Sequence, residues 1–339
     1  MAHRTLRVVL IAGAVVVLVT AALVALTGIG YRHVSADQRA YEERGAWYAD
    51  GTLHVGRHQL RLDGPPTNLT IAYTSEGAVV WDSGDHLDGD VQDPTLTLVS
   101  PSGETREVRV PDLTEVTGDA LGTDPSLPYV AYLRRSRGTQ EVVLQDLRDG
   151  SELTVGEPIP NPGGTGGSSH LALSPDLVTY PHPDHWGELR WRTGQVFPWS
   201  DLGGTSLPWS TGRTAVIVIP DDERAWRVVD RLDGEVRLTV PIDRAGYSTY
   251  ASLSPDDRWF AEPRNDGLVV HDVATGETTT LDGVAGVTTL GWTPDGHLIL
   301  RGQDGTVRTC DPEAGRCEST RIRTRGELVA PTGAYSEAF

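Results

Sequence analysis

Between Tyr250 and Thr320 one pattern of four short strands and three turns is written twice in succession. Ala251-Ser252-Leu253-Ser254-Pro255-Asp256-Asp257 leads into Trp259-Phe260-Ala261, then Asn265-Asp266-Gly267, Val269-Val270-His271-Asp272 and the turn Ala274-Thr275-Gly276-Glu277. The order returns 39 residues on, from Leu290-Gly291-Trp292-Thr293-Pro294-Asp295-Gly296 through Leu298-Ile299-Leu300 and Val307-Arg308-Thr309-Cys310-Asp311 to Ala314-Gly315-Arg316. A unit this short buries its apolar faces only against its neighbours. The pattern therefore predicts an all-β ring of such units, a β-propeller.

The glycine between the third and fourth strands serves as a ruler, because a hairpin loop of this length ends in a left-handed position. It recurs at Gly56, Gly103, Gly150, Gly194, Gly234, Gly276 and Gly315, at spacings of 47, 47, 44, 40, 42 and 39 residues. Asp146, Asp230, Asp272 and Asp311 each stand four residues before it, where a carboxylate accepts from the turn's own amides. Seven glycines predict seven blades; six is the alternative. The segment from Trp47 to Leu62 reads as three strands without a first, while Glu327 to Ala330 is a first strand without the rest. Joining them closes the ring and removes an exposed edge.

Val8 to Thr27 is an apolar run of twenty residues, enough to cross a bilayer of ~30 Å. Arg4 and Arg7 precede it and the first acid is Asp37, which keeps the N-terminus cytoplasmic. The expected order is a cytoplasmic N-terminus (1–7), a transmembrane signal-anchor (8–28), a juxtamembrane stalk (29–45) and the propeller (46–339). A cleaved signal peptide ending at Val34-Ser35-Ala36 is the alternative. Either places the propeller outside the cytoplasm, and Cys310 and Cys317, opposed across a short hairpin, are expected to form a disulfide there. The chain carries a net charge of −18 with every basic residue an arginine. So acidic a protein repels phosphate backbones, which argues against nucleic acid as a partner; a monomer is expected.

Ser254-Pro255-Asp256 and Thr293-Pro294-Asp295, placed before the second strand, resemble the WD40-like, TolB-type propeller repeats of bacteria. The likeness runs over about residues 46–335 and is clearest in the last two repeats. Trp81-Asp82 is a true Trp-Asp dipeptide, but on a second strand, off the family position. The resemblance implies the fold and, for most of the family, a role as binding platform; a minority serve as lid domains of peptidases.

Candidate functional residues fall in loops joining second to third strands. Asp85, Asp88, Asp90 and Asp93 offer carboxylates for Ca²⁺, although their spacing departs from the EF-hand register. A plain solvated acidic loop is the other reading. Arg134, Arg135 and Arg137 form a basic patch suited to an acidic partner or to the acidic loop beside it. His182, Asp184, His185 and Trp186 offer metal ligands or a carboxylate-paired base, against a surface loop packed on the tryptophan. No nucleophile-and-base pair is visible and no G-x-S-x-G elbow occurs. The expected function is a non-catalytic scaffold binding a protein or another cell-envelope ligand. A metal-dependent hydrolase or lyase working through the irregular loops is the alternative.

Overall fold

A computed structural model describes residues 34–62, 69–82, 95–110, 121–136, 138–160, 171–181, 186–198, 205–220, 224–242, 251–264, 267–281, 284, 289–302, 304–325 and 328–331. Its strands form seven four-stranded antiparallel sheets, so the ring has seven blades and not six. Blade 1 contains β1 (Ala46–Ala49), β2 (Thr52–Val55) and β3 (His58–Arg61). Blade 2 is β4 (Leu69–Thr74), β5 (Gly77–Asp82), β6 (Thr95–Val99) and β7 (Thr105–Glu107). Blade 3 is β8 (Gly122–Thr123), β9 (Tyr129–Ser136), β10 (Thr139–Asp146) and β11 (Glu152–Pro160). Blade 4 is β12 (Ala172–Leu173), β13 (Leu177–Pro181), β14 (Trp186–Arg190) and β15 (Gln195–Pro198). Blade 5 is β16 (Thr205–Thr211), β17 (Ala215–Ile219), β18 (Ala225–Asp230) and β19 (Val236–Pro241). Blade 6 is β20 (Ser252–Leu253), β21 (Trp259–Arg264), β22 (Gly267–Asp272) and β23 (Thr278–Leu281). Blade 7 is β24 (Thr289–Trp292), β25 (Leu298–Arg301), β26 (Thr306–Asp311) and β27 (Arg316–Arg323).

The split blade expected from the sequence is present. A last strand, β28 (Leu328–Val329), pairs with β1 through Tyr48↔Val329 and Ala49↔Leu328 and becomes the first strand of blade 1. Leu328 and Ala330 join Trp47, Ala49, Ile299 and Val307 in a buried cluster between blades 7 and 1. Closure therefore rests on apolar packing more than on its two-residue ladder.

Both turn types are built as the sequence chemistry requires. All seven ruler glycines have positive φ, from +56° at Gly56 to +83° at Gly103. Asp146, Asp230, Asp272 and Asp311 accept from the amides of Arg148, Leu232, Ala274 and Ala314, each two or three residues on. In the Ser/Thr-Pro-Asp turns the buried hydroxyl of Ser254 accepts from Trp259 N and donates to Asp256, and Thr293 does the same with His297 N and Asp295. These residues are consumed by local hydrogen bonds, so the motif is structural. Cys310 pairs with Cys317 in the ladder, their Cα atoms 3.9 Å apart, and the disulfide is formed.

Within the segment expected as a juxtamembrane stalk lies α1 (Ala36–Arg44), a helix capped by the Ser35 hydroxyl. It is seated against the ring. Tyr41 is 1% exposed, packs edge-on against Tyr73 and donates to Thr74 O. A Cβ at Gly56 would lie 2.9 Å from the Tyr41 backbone nitrogen, so this turn needs glycine for the helix to approach as well as for its φ. His58 and Arg57 bond the Asp37 carboxylate at the helix start and hold it below the usual carboxylate range. The apolar run Val8 to Thr27 lies outside the described residues, and among those described no helix is long and apolar enough to cross a membrane.

Leu328→Ala is expected to cost about 2–5 kcal/mol, the range for an apolar side chain removed from a packed interior. Deleting 326–339 should expose the β1 edge and lower the chemical-denaturation midpoint further. Equal midpoints for the truncated and full chains would show that blade 1 is closed by something other than β28.

Candidate binding face

In an antiparallel blade the turns after the first and third strands share one face, and the connections after the second and fourth share the other. On the first, here the turn face, connections are short and uniform, as in 254–258 and 273–277. On the second, the loop face, they vary in length from the two residues 137–138 to the long segments 83–94, 108–121 and 161–171. The three candidate segments belong to the loop face of consecutive blades. The 83–94 segment joins β5 to β6, 137–138 joins β9 to β10, and 182–185 joins β13 to β14.

Asp85, Asp88, Asp90 and Asp93, and likewise Arg137, His182, Asp184 and His185, lie outside the described residues. Trp186 opens β14 with its backbone paired to Pro181, and Arg135 pairs with Gln140 across the β9–β10 ladder. Arg134 is described in full and is not free to meet a partner. Its guanidinium donates to Glu152 Oε2 at 2.8 Å, Glu141 Oε2 at 3.3 Å and Thr154 Oγ1 at 2.9 Å. Tyr132 donates to the other Glu152 oxygen at 2.8 Å. Partial burial works against the Arg134 charge, but the Glu141 and Glu152 carboxylates outweigh it and raise its pKa. The partners of Arg134 are carboxylates of its own blade, with Glu141 directly opposite in the ladder. That register was the available signal: two eight-residue strands joined by two residues place 134 against 141.

Two polar constellations had no signature in the sequence. At the seam between blades 4 and 5, Glu188 and Arg231 are both fully buried and 3.3 Å apart. Thr179 donates to Glu188 and accepts from Arg231, whose other nitrogen donates to Arg213 O at 2.6 Å. Nearby, Asp257 reaches from the blade 6 turn into blade 5 and accepts from Thr214 N and Oγ1; burial lifts its carboxyl against the lowering by those bonds. In blade 6, burial pushes Glu262 up, but His271 and Arg264 overcome this and leave it below the usual range. The Glu262–His271 separation is 3.7 Å with both side chains less than a tenth exposed.

Among the described residues no group of three His, Cys, Asp or Glu is placed to hold a metal, and nothing there supports a hydrolase or lyase. No family model and no curated protein matches the chain. Solved structures are similar at low identity. A chain of a mitotic checkpoint complex matches at 10% identity and TM-score 0.49, over 78% of this chain and 81% of that one. KlHsv2 with loop 6CD replaced by a Gly-Ser linker matches at 12% and 0.45, over 77% and 84%. TolB from Acinetobacter baumannii matches at 13% and 0.38, over 83% and 80%. At these values the fold rests on the chain's own seven sheets, which make it a seven-bladed β-propeller.

One titration is readable from the geometry. His54 is 9% exposed and stacked on Trp47 with centroids 3.7 Å apart, and burial pulls its pKa down to about 4. The unfolded chain takes up this proton near pH 6.5 while the folded chain refuses it until about pH 4. Stability should therefore fall as pH drops through that window and level off below it. The loss is about 2 kcal/mol after allowance for solvent at the ring edge. Denaturant titrations of His54→Phe, which keeps the stack, should show this limb flattened. An unchanged limb would assign the proton to another group.

Proposed function

We propose that this chain is a membrane-anchored, extracytoplasmic propeller of the TolB-type repeat kind that acts as a non-catalytic binding scaffold. The Cys310–Cys317 disulfide carries the compartment half of this reading. A pair of this kind persists in oxidising surroundings, and it agrees with the apolar run behind Arg4 and Arg7. The binding half is supported by the contrast between the two faces. The Ser/Thr-Pro-Asp side chains of blades 6 and 7 and Asp146, Asp230, Asp272 and Asp311 bond within their own turns, while the loop face carries length and charge that the repeat does not dictate. Arg135, Arg137, His182, Asp184, His185 and Trp186 are the proposed contacts, and the partner is a protein or another envelope ligand with acidic groups. Arg134 is left out of the contact set because Glu141 and Glu152 hold it.

Two measurements test this. A reporter fused after Phe339 should be active only in its extracytoplasmic form, and native protein should offer no alkylatable thiol; activity of the cytoplasmic form, or two reactive thiols, overturns the compartment. Arg135→Ser with Arg137→Ser should weaken capture of cross-linked envelope proteins and flatten its salt dependence at an unchanged melting temperature. Capture lost through Asp149→Ser or Thr275→Ala on the turn face instead, with none lost through the arginines, places binding on the opposite side.

A further inference from the structure

We infer that α1 fixes the orientation of the ring, with the turn face toward the membrane and the loop face outward. This rests on the anchor reading above and adds to it a direction. The helix is a rigid part of the ring. Gly45 N donates to Tyr41 O, Gly56 N to Gly45 O and Ala46 N to the Tyr73 hydroxyl, so no hinge separates α1 from β1. Its described polar contacts lie at the turn face: Arg57 and His58 beside the blade 1 turn, Gly56 in that turn, and Thr74 at the start of the blade 2 turn, with Tyr73 of the adjoining strand against Tyr41. The Ser35 cap and the Asp37 ion pairs place the entry of the preceding chain there as well. Residues 28–34 separate that cap from the apolar run, a reach of at most ~25 Å when fully extended. At the other end β28 runs toward the same face, where Pro331 O accepts from Trp292 N. The turn face also bears exposed carboxylates such as Asp149, Asp256 and Glu313. Such a surface does not insert into lipid, so the ring stands on its tether.

The full chain offers a clean test because its two cysteines are paired and an introduced thiol is unique. Fluorophores are placed at Ser102→Cys and Ala274→Cys on the turn face, and at Arg109→Cys, after β7, and Glu157→Cys, in the half of β11 that runs to the loop face, all exposed positions. The protein is reconstituted into phosphatidylcholine vesicles carrying a headgroup-linked quencher. Quenching at the first pair should exceed that at the second at least two-fold. Tyr41→Ala, which unseats the helix, should bring the ratio toward one, and Tyr41→Phe should leave it. Equal or reversed quenching in vesicle-bound protein overturns the orientation and leaves the anchor standing. Protein that fails to float with the vesicles overturns the anchor, and the orientation with it.

Discussion

A four-stranded sheet with two apolar faces and no helix to cover either is buried only by another sheet of its kind. That constraint governs this molecule. Tyr48 and Val55 of blade 1 share a buried cluster with Ile71 and Val80 of blade 2, as do Trp81 with Tyr132, Leu144 with Tyr180, and Phe260 with Trp226 across other seams. Each pair removes apolar surface at about 25 cal/mol per Å², and each blade depends on both neighbours for it. A ring follows because a linear stack would leave two faces wet.

The seam between blades 4 and 5 departs from this pattern. Val216, Val218 and Val229 supply an apolar patch on blade 5. Blade 4 answers with Thr179 and Glu188, and Arg231 completes the pair. Burying an ion pair gives little net stability over an apolar contact, but removing one partner strands the other charge. The pairing joins residues of blades 4 and 5, so it ties this seam to two named partners where an apolar patch would not.

The fold was legible in the sequence because propeller turns are local. Gly276 four residues after Asp272, or Asp256 two after Ser254, specifies a hydrogen-bond pattern without reference to the rest of the chain. The split blade was legible for the same reason, as three strands lacking a first and a first lacking three. The seating of α1 was not: the segment is polar on every side apart from Tyr41, and one buried tyrosine leaves no periodicity to read. Nor was the Glu188–Arg231 pair, whose members lie 43 residues apart on different blades. For the binding face, sequence indicated which connections are irregular. It did not indicate that Arg134 is already held by Glu152, a partner two strands away.

Closing blade 1 with β28 also sets a schedule. β1 is among the first parts of the ring to be synthesised and Leu328 among the last, with roughly 280 residues between them, about 15–60 s at ordinary elongation rates. Through that interval the inner edge of β1 has no partner, and Trp47, stacked on His54, lacks the Leu328 and Ala330 side of its cluster. Six blades can form in the meantime, yet the nascent chain remains an open sheet assembly until Leu328 and Val329 arrive. A chaperone acting on this protein has its natural target in that edge, and a ribosome stalled before residue 328 holds a chain whose ring cannot close.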